Sequence, residues 1–334
     1  MLHRREFLYQ TGLVLGGVIF SFPGSVNSDK NNMILQKDFD VIIIGGSYSG
    51  LAAAMALGRA LRNVLIIDAE KPCNIQTPYS HNFLTNDGAT PISITMRARE
   101  QVEAYPTVKF LKATATVVNK LDSAFQVTVK NGDIFSAKKI ILATGIRDIL
   151  PDIPGLSNCW GISVLHCPYC HGYEVRDLPT GILANGDLAF ELATLISNWT
   201  NDLTVLTQGT STLTNAQTQK LVDRGIKIID REIESLEHND GYLHKILFKT
   251  GEKLALTVLY TKPPFEQHSD FQDTLKYEMT ADGYIKIDNT QRTSIPGVFA
   301  CGDNTTRIRT IANAVSMGTI AGMMANREMI EECF

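Results

Sequence analysis

His166-Cys167-Pro168-Tyr169-Cys170-His171-Gly172 sets two thiols two residues apart, with an imidazole on either side. Such a pair closes a small disulfide ring or opens to a dithiol. Pro168, directly after Cys167, suits the first position of a helix, and a helix N-terminus there favours the thiolate, the reactive form of cysteine. Four chemistries fit the motif alone: a redox pair, a c-type haem attachment, half of a zinc site and an inert structural disulfide. Zinc needs a second ligand pair at suitable spacing, and the sequence offers none that convinces.

A second stretch with chemistry in it is Gly45-Gly46-Ser47-Tyr48-Ser49-Gly50. An apolar run at residues 40–44 precedes it, a helical run at 51–57 follows, and a second apolar run at 64–67 ends in Asp68. Continuous apolar runs of this length read as parallel strands buried on both faces. Strand, glycine turn, helix, strand and acid form a dinucleotide site. Gly45 permits the tight turn, and Gly50 lets helix and sheet pack closely. The helix N-terminus receives a pyrophosphate, and Asp68 can hold a ribose hydroxyl. Ser47 stands where G-x-G-x-x-G has its middle glycine; it is small and adjoins Gly46.

The rest of the chain must position these two stretches. Its 334 residues suit about two domains, and 44% hydrophobic residues are enough for ordinary cores. A net charge of −4 without a long basic run counts against nucleic acid as a partner. Six scattered cysteines do not make a disulfide scaffold. Residues 108–130 read as short strands with a turn at Asn131-Gly132. Residues 140–142 form a strand ending in Ala143-Thr144-Gly145. Residues 293–303 form another, ending in Gly302-Asp303, and a long helix rich in small residues runs from about 310 to 324.

The glycine turn at Gly45, Ala143-Thr144-Gly145, the cysteine pair and Gly302-Asp303 stand in the order of the low-molecular-weight thioredoxin reductases, which the chain resembles from about Asp38 onward. The resemblance implies an α/β fold of two Rossmann-like, three-layer domains, the FAD domain carrying an inserted NAD(P)-type domain. Residues 37–150 and 265–334 would form the first, and 151–264 the second. Gly45, Ser47, Gly50, Asp68, Thr144, Gly145, Gly302 and Asp303 would bind FAD. Asp303 would lie at the ribityl and phosphate region, and the last helix would point its N-terminus at the flavin. The redox reading of the cysteines then leads. Cys167 would exchange with substrate, Cys170 would face the flavin, and His171, where the family has an acid, would move the proton. Glu174 is a weaker acid–base candidate. The resemblance brings the loop after Pro78-Tyr79 close to the flavin, which makes His81 an active-site candidate, with an ordinary loop histidine the alternative. The resemblance further implies a homodimer, acting on a small dithiol or disulfide or on a thioredoxin-like protein.

The second nucleotide site matches poorly. Residues 179–184 read as a strand, but Ala184 replaces the first glycine. The next strand, 203–206, ends in Thr207-Gln208-Gly209, with neither an acid for a ribose hydroxyl nor an arginine for a 2′-phosphate. NAD(P)H is therefore in doubt. The gliotoxin-type dithiol oxidases share this architecture, and the expected activity is FAD-dependent dithiol oxidation. An NAD(P)H-dependent disulfide reductase is the alternative, and a haem protein through Cys-x-x-Cys-His a remote one.

Residues 1–36 read as a signal and linker. Arg4-Arg5 followed by Phe7-Leu8, then an apolar run at 13–22, resembles a twin-arginine export signal. The expected location is the periplasm or the outer face of the cytoplasmic membrane.

Overall fold

The computed structural model describes residues 38–334; the signal and linker expected in residues 1–36 lie outside the described residues. In chain order come β1 (Asp38–Ile44), α1 (Tyr48–Arg59), β2 (Val64–Asp68), α2 (Pro91–Glu103), β3 (Val108–Lys112), β4 (Ala115–Lys120), β5 (Phe125–Val129), β6 (Ile134–Leu142) and β7 (Ile146–Asp148). Next come α3 (Leu156–Cys159), β8 (Val164–Leu165), α4 (Pro168–His171), β9 (Thr180–Leu183), α5 (Gly186–Ile196), β10 (Leu203–Leu206), α6 (Asn215–Asp223) and β11 (Lys227–Ile229). The chain then runs through β12 (Ile233–Asn239), β13 (Tyr242–Phe248), β14 (Lys253–Ala255), β15 (Val258–Thr261), β16 (Phe265–Gln267), α7 (Phe271–Leu275), β17 (Val298–Ala300) and α8 (Ile311–Glu331).

The first sheet has the order β3-β2-β1-β6-β5-β4, with β17 also paired to β6. β1 lies parallel to β2 and β6 at its centre, and its alternate residues serve different cores. Val41 and Ile43 pack with α1 and α8, while Ile42 and Ile44 pack toward β4, β5 and α7. A strand covered on both faces has no polar face to show, which is why its sequence is a run rather than an alternation. α1 and α8 cross closely because glycine lets them. A Cβ on Gly318 would stand 2.0 Å from Ser49 O, and one on Gly322 2.5 Å from Ala53 O.

The second sheet repeats the plan. Its order is β11-β10-β9-β15-β8, all neighbours parallel. Ile182 faces the core under α5 and α6, and Leu183 faces the core under the antiparallel β12-β13-β14 sheet. Two such three-layer units are the expected Rossmann-like pair. The crossings between them, β7 and β16, are antiparallel partners, with Arg147 ion-paired to Glu266 across them.

Three details differ from expectation. α8 runs on to Glu331, and the strand before Gly302 is three residues long. The helix after Cys167 is a single turn, Pro168–His171. A helix macrodipole sums over aligned peptides, so one turn gives little of the thiolate stabilisation expected of it.

Candidate active site

The turn from β1 to α1 is a cradle that only glycine can form. Gly45 has φ +107°, and a Cβ there would lie 2.2 Å from Ala143 O. A Cβ on Gly50 would lie 1.9 Å from Gly45 O. Gly50 therefore works by packing, while Gly45 and Ser47 face a cavity of about 540 Å³. Ser47 is the N-cap of α1 and makes no side-chain capping bond, which leaves the first amides of the helix for an anion. Asp68 at the end of β2, Thr144 and Gly145 after β6, Gly302 and Asp303 after β17, and Thr310 and Ile311 at the start of α8 line the same cavity.

The cysteine turn closes the cavity on the side of the second sheet. Cys167 and Cys170 form a disulfide, with Cα atoms 5.3 Å apart. Cys167 caps α4, and the Cys170 amide donates to its Sγ at 3.1 Å. Cys170 and His171 line the cavity, whereas Cys167 does not. Gly172 lets this turn sit against Trp199, whose Cδ1 would be 2.9 Å from a Cβ there. Trp199 in turn meets Tyr169 edge-on at 5.4 Å. Four histidines line the cavity: His81, His166, His171 and His268. Burial first, and the charge of His81 second, pull His171 from its ordinary 6.5 to about 4. Burial and then Arg309 pull His166 to about 3. Both are neutral at pH 7.

Arg309 was not among the residues expected from sequence. It reaches back from the loop before α8 and donates to both carboxylate oxygens of Asp148 in β7, at 2.8 Å each. Its Nε lies 3.4 Å from Asp303. Burial raises the Asp303 carboxyl, and Arg309 opposes that rise. The sequence signal was two arginines, Arg307 and Arg309, between Gly302-Asp303 and the last helix, and nothing local separates the one that turns inward.

The pyridine nucleotide-disulphide oxidoreductase profile matches residues 39–318. The chain belongs to that family. Among its curated relatives, the thioredoxin reductase tcpT of Claviceps purpurea is 30% identical over 88% of this chain and 95% of its own length. The thioredoxin reductase aclD of Aspergillus oryzae is 32% identical over 85% and 94%. Among solved structures, the TrxB protein of Bacillus anthracis superposes with a TM-score of 0.85 at 30% identity, covering 89% of this chain and all of that one. HlmI superposes at 0.84 with 32% identity, over 89% and 94%.

The chain is thus an FAD-dependent oxidoreductase of the thioredoxin reductase type, acting on disulfides. Its residues fit FAD. The Gly45–Ser47 cradle admits backbone close to a pyrophosphate, and Gly145, at φ +65°, has open space where a Cβ would stand. His166 Nε2, on the cavity wall, is buried with no hydrogen-bond partner among the described residues.

The family's second dinucleotide would enter at the start of α5, and there the fit is poor. Asn185 caps the helix with its own side chain. Its Oδ1 accepts from the Gly186 amide at 2.9 Å, the Thr212 amide at 2.8 Å and the Thr212 hydroxyl at 3.1 Å. Its Nδ2 donates to Thr210 O at 2.9 Å and Thr207 O at 3.3 Å. The Thr212 Oγ1 stands 2.8 Å from where a Gly186 Cβ would be. Asp187 adds a negative charge to the first turn, where a pyrophosphate requires the opposite. Gln208 is turned away, its Oε1 accepting from the Ile233 amide at 2.8 Å.

Proposed function

We propose that this protein oxidises dithiols and has no working nicotinamide site. One observation carries the reading. Cys170 lines the FAD cavity, while at the start of α5 the Asn185 side chain takes the first helix amide and ties down the loop at Thr210 and Thr212. A substrate thiolate attacks Cys167 Sγ, the S–S bond breaks, and Cys170 leaves as a thiolate. The second substrate thiolate then attacks the substrate sulfur of the mixed disulfide, and Cys167 leaves. Substrate has lost two electrons and two protons, and the cysteine pair holds the electrons. FAD, held by Gly45, Ser47, Asp68, Thr144 and Asp303, would supply the acceptor for that electron pair, with oxygen or another acceptor taking the pair from it in turn.

His171 begins neutral. A thiolate opening beside it raises its proton affinity, because an adjacent negative charge favours the imidazolium. It can therefore receive a thiol proton at the step that needs a base.

Oxygen uptake tests this. With dithiothreitol and no nicotinamide, the protein should consume oxygen and produce peroxide. No uptake, together with NADPH-driven reduction of a disulfide, would make it a reductase like its named relatives.

We further propose a small dithiol or a thioredoxin-like protein as the partner. Arg4-Arg5 supports export by the twin-arginine route to the periplasm or the outer face of the membrane. Resemblance to the family supports a homodimer.

A further inference from the structure

We propose that His81 is the second proton carrier of the dithiol site: it accepts the proton that leaves a thiol through His171 and delivers it to Glu174 and Asp87. The proposal rests on the dithiol chemistry above and adds a residue from the other Rossmann unit.

The geometry comes from a loop tied by its own backbone. The Ser80 amide donates to Ala89 O at 2.8 Å, and the Gly88 amide to Ser80 O at 2.9 Å. Asp87 accepts from the Asn82 amide at 2.8 Å. Asn82 and Thr85 hold left-handed conformations, φ +57° and +73°. This loop sets His81 into the cavity wall with His171 and Cys170. His81 Nδ1 lies 3.5 Å from Glu174 Oε1 and 3.7 Å from Asp87 Oδ1, and is buried without a hydrogen-bond partner among the described residues. A relay through imidazole uses both nitrogens, and Nδ1 faces the two carboxylates while the residue itself lines the cavity.

The groups facing His81 are Asp87 on its own loop, His171 on α4 and Glu174 just beyond α4. Exposure rises along the path. The His81 side chain is 19% exposed, Glu174 39% and Asp87 67%. His171, depressed to about 4, is a poor resting place for a proton. A carrier between it and two carboxylates open to solvent moves the proton outward. The S–H bond breaks, the proton passes to His171, then to His81, then to a carboxylate and water. No electron moves in these steps.

The test uses the FAD-loaded protein, wild type and H81A, with H81Q as a second variant should H81A fold poorly. Anaerobic stopped-flow mixing with dithiothreitol follows flavin bleaching. Loss of a proton carrier should slow bleaching by about 10²-fold at equal FAD content, and added imidazole should restore much of the rate in H81A. Independently, the His171 imidazole, followed by NMR, should titrate at higher pH in H81A, because a neighbouring positive charge is gone. Bleaching of H81A at the wild-type rate overturns the relay. So does a slowed variant that imidazole does not restore and whose His171 titration is unmoved, since that describes a packing contact. A wild-type flavin that dithiothreitol cannot bleach removes the dithiol chemistry and the relay together.

Discussion

Arg309 grips both carboxylate oxygens of Asp148 at 2.8 Å, across 161 residues of chain. The pair ties β7, one of the two crossings between the Rossmann units, to the loop that leads into α8. Both side chains are largely buried, 14% and 8% exposed. Removing one partner leaves a buried charge without compensation. Arg309→Met should destabilise the protein by about 3–5 kcal/mol. Asp148→Asn should cost less, since an amide still accepts a hydrogen bond. In thermal melts the double variant should lose less than the two single losses together, as expected of residues in contact. Additive losses would show that the pair does not act as a unit.

The first cradle makes its own prediction. Gly45→Ala must place a Cβ 2.2 Å from Ala143 O at φ +107°. The backbone strain alone costs about 1–3 kcal/mol, and relief of the clash moves β6 away from the turn. Purified variant should carry little FAD by absorbance and melt below wild type. Normal FAD content would mean that the turn adapts.

Much of this cradle was legible in the sequence, and the reason is physical. Parallel strands covered on both faces become apolar runs, as at residues 40–44, and a position that only glycine can occupy announces itself. The cysteine pair was legible too, because its chemistry needs only two residues at one spacing. Arg309 was not, since its partner lies 161 residues away and no local pattern links them. The capping of α5 by Asn185 was half legible. Missing glycine and charge at Ala184 and Thr207-Gln208-Gly209 could be read, but the bonds of Asn185 to a loop 27 residues on could not. β7 and β16 are three residues each, too short to show any period.

The two cysteines should behave differently from a structural disulfide. Cys167→Ser and Cys170→Ser should each lower dithiol oxidation by about 10³-fold or more, because the pair acts as one unit. FAD content should stay at the wild-type level, since neither residue belongs to the cradle. Dithiol oxidation that survives Cys170→Ser would make the disulfide inert.

Stability should fall in mild acid. His171 titrates near 4 in the folded protein against an ordinary 6.5. Between those values the unfolded chain binds the proton and the folded chain does not, so folding stability is full above about pH 6.5 and declines toward pH 4. The contribution of His171 alone is about 3 kcal/mol by pH 4. His166, held near 3, acts in the same direction. His171→Gln should flatten the dependence of the melting temperature on pH across this window. An unchanged slope would place the acid sensitivity elsewhere.

The central claim is that electrons enter from a dithiol and not from a nicotinamide. It is tested most directly by anaerobic titration of the FAD-loaded protein, following flavin absorbance against NADPH, NADH and dithiothreitol in separate cuvettes. Bleaching by dithiothreitol alone is the predicted result, given Asn185 and its loop at the α5 entrance and Cys170 at the flavin cavity. Stoichiometric bleaching by NADPH or NADH would contradict the account and make the protein a nicotinamide-fed reductase.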